Sequence, residues 1–168
     1  MYQRRTFITA LAAQSLVLAT PAVAREKPTL ALERQRTGEK FQCEFGRRGI
    51  KDKDLKSLNW ILRDVSAGEV KFMDLELYEV LARIQAQFSG APLMIKSGYR
   101  TRKTNSAIRG AARKSKHVEG RAVDFTIRGV KTFDLVKVAQ ANGAGGVGYY
   151  PRRGFIHVDT GQERYWRR

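Results

Sequence analysis

The sequence predicts an α+β fold: a small antiparallel sheet with flanking helices. Two observations predict it. Apolar residues at helical spacing come early, between Asp52 and Phe88. Short alternating or apolar runs, bounded by glycine and polar residues, come later, between Pro92 and Asp159. Helical segments ahead of mixed short strands indicate segregated layers rather than repeated βαβ units.

The elements follow in order. Residues 25–40 are polar and charged, with Pro28 and Gly38, and read as a linker or loose arm. Phe41-Gln42-Cys43-Glu44-Phe45 alternates and reads as a strand, in a hairpin around 40–50 that turns at Gly46 and Gly49. Asp52 to Asp64 has apolar residues at 55, 58, 61, 62 and 65, the spacing of a helix. Asp74 can cap a second helix with Glu76 in its first turn, the stripe Leu77, Leu81, Ile84 and Phe88, and a stop at Ser89-Gly90. A strand is expected at 92–96 and a helix from Thr101 to Ala112. A polar loop over 113–120 and a strand at 122–127 should follow. Thr132 to Ala141 reads as a helix with Phe133, Val136 and Ala139 or Gln140 on one side. Glycines at 143, 145, 146 and 148 lead into a strand at 147–150, and Phe155 to Asp159 reads as the last strand.

The first 24 residues stand apart. Arg4 and Arg5 precede a mildly apolar run, Ile8 to Ala19, which ends in Ala22-Val23-Ala24. That is the pattern of a cleaved signal peptide, and the run is short for a membrane span of about 20 residues. Gln3-Arg4-Arg5-Thr6-Phe7-Ile8 resembles the twin-arginine export signal, so delivery to the periplasm is expected. The expected division is therefore a signal peptide over 1–24, an arm over 25–40 and one domain over 41–168.

The chain has 32 basic and 16 acidic residues and a formal charge of +16. Removing residues 1–24 takes away two arginines and no acid, leaving +14. Such a balance calls for an anionic partner. No nucleic-acid-binding motif is present, and an exported chain meets cell-wall murein, whose stem peptides carry free carboxylates. The lone cysteine, Cys43, excludes an intramolecular disulfide and reads as a buried inert thiol.

Chemistry concentrates in two segments rich in glycine and small polar residues, Ser115 to Asp124 and Phe155 to Gly161. They hold the only histidines, His117 and His157. Two imidazoles and a carboxylate make a set that can hold zinc and leave a position open. A bend at Gly120 would bring His117, in the loop, and Asp124, on the strand, to one point. His157 and Asp159 share a strand face. On residue types alone, packed or surface histidines are the better reading than a metal site.

From Ser97 to Trp166 the chain resembles the M15 peptidase family, in particular its murein endopeptidase K-like branch. The resemblance rests on Ser97-Gly98-Tyr99-Arg100, Thr104-Asn105, and Ser115-x-His117-x-x-Gly120-x-Ala122-x-Asp124. It continues in Gly145-Gly146-Val147-Gly148-Tyr149-Tyr150-Pro151 and Phe155-Ile156-His157-Val158-Asp159-Thr160-Gly161, and ends at Arg164 and Trp166. A weaker trace runs from Leu58-Asn59-Trp60 to Arg63-Asp64.

The resemblance implies a zinc peptidase domain with the metal on the sheet, held by His117, Asp124 and His157. It also implies an arginine, Arg100, that steadies the substrate carbonyl or its developing negative charge. Ser115 would orient a ligand or the substrate. One departure stands out. Several family members carry a catalytic His or Glu two or three residues before the last zinc histidine, where this chain has Phe155 and Gly154. Asp159 is the leading substitute base, with orientation of a zinc histidine as its alternative role. Glu119 comes third.

The expected activity is metal-assisted hydrolysis of peptide cross-links in peptidoglycan by a monomer. Alternatives are a D,D- or L,D-carboxypeptidase on stem peptides and a wall-binding zinc module that does not cut.

Overall fold

The computed structural model describes residues 28–45 and 49–168. The expected signal peptide, the twin arginines and the Gly46 turn lie outside them. No described helix is long and apolar enough to cross a membrane.

The chain opens with β1 (Thr29–Arg34) and β2 (Lys40–Glu44), an antiparallel pair with Leu32 opposite Phe41 and Leu30 opposite Cys43. Then come α1 (Asp52–Ile61), α2 (Leu75–Ala86), β3 (Leu93–Ser97), α3 (Arg102–Ala107) and the one-turn α4 (Lys116–Glu119). They are followed by β4 (Ala122–Ile127), α5 (Thr132–Ala141), β5 (Gly146–Tyr150), a 3-10 turn (Pro151–Arg153), β6 (Phe155–Asp159) and β7 (Arg164–Arg167). The described strands form one sheet of seven in the order β2-β1-β3-β4-β6-β5-β7.

The architecture is the expected α+β. The sheet, however, is mixed: β1/β3 and β5/β7 pair parallel and the other neighbours antiparallel. Connection explains both exceptions. Two helices separate β1 from β3, which is room enough for a crossover. The chain reverses twice between β5 and β7, so β7 runs with β5 and adds to its free edge.

Four expectations change. The arm expected over 25–40 contains β1, where Leu30 and Leu32 are fully buried. Charged neighbours on both sides hide this short apolar triplet in the sequence. Its backbone is pinned by buried Gln85, whose side chain accepts from Ala31 N at 2.9 Å and donates to Ala31 O at 3.0 Å. The helix expected to Ala112 stops at Ala107, with Ile108 extended. There Asn105 turns inward and donates to Ala112 O at 3.0 Å, folding the following loop back. The loop over 113–120 contains α4. Phe155–Asp159 is not the last strand, because β7 follows.

Caps behave as read. Asp74 accepts from Glu76 N at 3.2 Å and Thr101 from Thr104 N at 3.0 Å. The α2 residues Leu77, Leu81 and Ile84 and the α5 residues Leu135, Val136 and Ala139 share one core with Val123, Phe125, Ile156 and Val158. Phe133 is half exposed and tilts against Tyr149 instead. Cys43 is buried, and burial, with a smaller contribution from Asp54, pushes its thiol up to about 11, as an inert thiol requires.

Candidate metal centre

Strand alternation turns every second residue of β4 and β6 away from the helices. On that outer face Asp124 of β4 sits opposite His157 of β6, and His157 opposite Gly148 of β5. Gly148 in turn sits opposite Trp166 of β7. One row thus crosses four strands. The next row along runs Ala122, Asp159, Gly146, Arg164.

The two glycines shape both rows. A Cβ on Gly148 would meet the Trp166 indole at 2.5–2.8 Å, and one on Gly146 would meet Asp159 and Arg164. Without those side chains, residues of β7 lean across β5 to reach β6. The Trp166 ring lies 5.2 Å from the His157 ring, and Arg164 donates twice to Asp159, at 3.0 and 2.5 Å.

The third member arrives from α4. The chain bends at Gly120 as expected (φ 77°), and His117 reaches the row from above. His117 Nε2, His157 Nδ1 and Asp124 Oδ1 converge at mutual distances of 3.1, 3.1 and 2.9 Å. All three residues are buried.

This set fits a metal ion. Tetrahedral zinc with ligands at about 2.0–2.1 Å needs donor separations of roughly 3.3 Å. The outward nitrogens are engaged as well: His117 Nδ1 donates to Gly98 O at 2.7 Å, and His157 Nε2 to Asp159 Oδ2 at 2.8 Å. Each bond fixes the tautomer that leaves the inward nitrogen a lone pair.

Electrostatics agree. Burial holds the His117 imidazolium down, against the pull of Asp124. Burial alone would raise Asp124, but the two histidines beside it hold its carboxyl well below the usual range. For His157, burial disfavours the charge, yet hydrogen bonds to Asp124 and Asp159 carry its pKa up.

Arg100 lies beside the centre. It donates from Nε to Ser97 Oγ at 2.8 Å and from Nη2 to Asp124 Oδ2, the oxygen turned away from the histidines. Arg100 lines the cleft over the centre. Ser115 lines the same cleft. Glu119 is exposed and paired with Lys116 at 2.6 Å, so it does not join the centre.

Asp159 lies on the far side of His157 from the other donors. It is fully buried behind His157, outside the cleft lining. Oδ1 accepts from Gly161 N and Arg164, and Oδ2 from His157 and Arg164. Against the cost of burial, those donors hold its carboxyl well below the usual range. Both Asp159 oxygens are thus engaged, and the residue is not among those lining the cleft. The placement matches its alternative role, orienting a histidine.

The cleft over the centre has a volume of about 250 Å³. Five cationic residues line it, Arg100, Lys114, Lys116, Arg164 and Arg168, against one carboxylate, Asp124.

A family model described as "Peptidoglycan L,D-endopeptidase MepK", within peptidase family M15, matches residues 22–166. The chain belongs to the M15 peptidase family. Among M15 relatives, the protein of Escherichia coli K12 named peptidoglycan L,D-endopeptidase MepK is 40% identical over 160 residues, 89% of this chain and 88% of that one. The Haemophilus influenzae protein named probable peptidoglycan L,D-endopeptidase MepK is 37% identical over 153 residues, 86% of this chain and 82% of its own.

Arg164 and Trp166 hold residues of the site row in place, and Gly146 and Gly148 do more than lead into β5. A signal was available: glycines at 146 and 148 and large residues at 164 and 166 share a period of two, as paired strand faces do. Asp74 was read only as a cap. It also accepts from Thr160 Oγ1 at 2.7 Å and Arg121 Nε at 3.1 Å, tying the start of α2 to the end of β6. Nothing in the local sequence signals that bond.

Proposed function

We propose that this M15 peptidase is a peptidoglycan endopeptidase that cuts L,D peptide cross-links with a zinc ion held by His117, Asp124 and His157. The convergence of three buried donor atoms, each imidazole braced from behind, is the observation that carries the reading. The relatives' names supply the substrate and the bond class. Zinc bound there would polarise the scissile carbonyl and acidify a water molecule.

The rest falls to the chain. Arg100 holds Asp124 by one arm and offers Nη1 to the carbonyl oxygen as charge builds on it. Asp159, locked by Arg164 and Gly161, keeps the His157 ring turned toward the metal and is a positioning residue rather than the base. The cationic cleft draws in peptides bearing free carboxylates. A monomer suffices, because every residue of the centre comes from one chain.

We also propose residues 1–24 as a cleaved twin-arginine signal delivering a monomeric domain to the periplasm, with β1 making the catalytic unit begin before residue 41. Arg4→Lys with Arg5→Lys should retain the precursor in the cytoplasm, and normal delivery would point to the general secretory route.

The main test is digestion of purified murein, with fragments identified by mass. Cleavage at an L,D cross-link, abolished by chelator and restored by zinc, is expected. Release of terminal residues alone would favour the carboxypeptidase reading. Retention on murein without cleavage would favour a binding module.

A further inference from the structure

Tyr150 closes β5 in the glycine-tyrosine run that the metal site leaves without a role. Gly148 sits opposite His157 and Tyr150 opposite Phe155, so Tyr150 stands on the metal face one pleat repeat from His157. That repeat is about 7 Å, within reach of a tyrosine side chain, and Tyr150 lines the metal cleft.

The phenol is held from two sides. Its ring stacks on Phe155, with centroids 4.6 Å apart and planes 11° from parallel. Its oxygen accepts from Trp166 Nε1 at 3.1 Å. A hydroxyl that already accepts from an N–H turns its own proton another way. No described residue accepts that proton. The cleft therefore contains a hydroxyl donor held in place. It stands over Phe155, and the only acidic side chain lining the space is Asp124.

We propose that Tyr150 is a catalytic residue of this site, donating its phenolic hydrogen bond to the carbonyl oxygen of the scissile amide. It makes and breaks no covalent bond. It shares with Arg100 the negative charge that grows on that oxygen, and the fixed position saves reorganisation at the moment of reaction. Trp166 is its positioning residue. The proposal rests on the endopeptidase reading, because that reading supplies the amide.

The test compares Tyr150→Phe, which keeps the ring stack and loses only the hydroxyl, with the full zinc-loaded protein. Turnover of murein should fall by about 100-fold with KM little changed, the pattern of a donor engaged in the transition state. Zinc content and thermal midpoint should match the unaltered protein. A phosphinate peptide, whose tetrahedral anionic oxygens stand in for the charged carbonyl oxygen, should bind weaker by a similar factor. Trp166→Phe should give a smaller loss in both readouts, because the phenol stays but swings.

Tyr150→Phe turnover and phosphinate affinity both within about threefold of the unaltered protein would overturn the proposal. So would loss of zinc from Tyr150→Phe, which would make Tyr150 structural. If the unaltered protein binds the phosphinate in a Tyr150-dependent way yet cuts no murein, the donor stands and the endopeptidase reading falls.

Discussion

The two faces of the central sheet are written by alternate residues of the same strands, and they obey different rules. On β4 and β6 the inner set is Val123, Phe125, Ile156 and Val158, and the outer set is Asp124, His157 and Asp159. The inner face is closed by apolar packing, which is non-directional and asks only for shape and volume. The outer face is closed by directed hydrogen bonds: His117 to Gly98 O, His157 to Asp159, Arg164 to Asp159 and Arg100 to Asp124. Stability should therefore reside mainly on the first face and metal affinity on the second.

The sharpest way to break this division is to remove a donor. His117→Ala or Asp124→Ala should abolish zinc retention and reduce murein digestion to the level of the chelated protein, while the folded sheet persists. Full zinc content in either variant, by metal analysis after dialysis, would remove that residue from the ligand set.

On the opposite face, Phe125→Ala should cost about 3–5 kcal/mol of unfolding free energy, because a fully buried ring leaves a cavity between sheet and helices. The protein that remains folded should still bind one zinc with unchanged affinity. A matching loss of affinity would show that the faces are not separable.

Asp159→Asn should be milder. The amide cannot take both Arg164 and His157 as the carboxylate does, so zinc should bind about 10–100-fold more weakly. Turnover at saturating zinc should stay near normal. Loss of turnover with zinc fully bound would restore Asp159 as the base.

The smallest effect should come from the tie between the faces. Burial would raise Asp74, but hydrogen bonds from Thr160, Glu76 N and Arg121 hold its carboxyl below the usual range. A depressed carboxylate stabilises the fold above its unfolded pKa of about 3.9 and loses that contribution as pH falls through the folded value. Asp74→Asn should thus cost about 1 kcal/mol near neutral pH. The gap between the two proteins should close as denaturation is followed into acid below about pH 4. A gap independent of pH would mean the carboxylate charge has no part in it.

Much of this was legible in order along the chain. The α2 cap, the core of α2, β4 and β6, and the shared face of His157 and Asp159 follow from local period and capping chemistry, whereas α5 buries Leu135 in place of Phe133. The histidines and Asp124 were legible as a set only through the resemblance, since residue types alone left a packed-histidine reading open. β1 was hidden by flanking charges, and β7 by a short arginine-rich ending that looks like a tail.

What the sequence determined by itself is what near neighbours decide: which residues alternate, where helices start, and which segments carry ligating atoms. Only the tertiary structure decided that Asp159 stands behind His157 rather than before it. Only the tertiary structure placed Trp166 and Arg164 across two glycine gaps, and set Tyr150 at the rim with its proton unclaimed. The reason is physical. Alternation puts a residue on a face, but which atom of a side chain meets which partner depends on strand order and register. Here the deciding pairing, β7 along β5, is made between segments that no local pattern brings together.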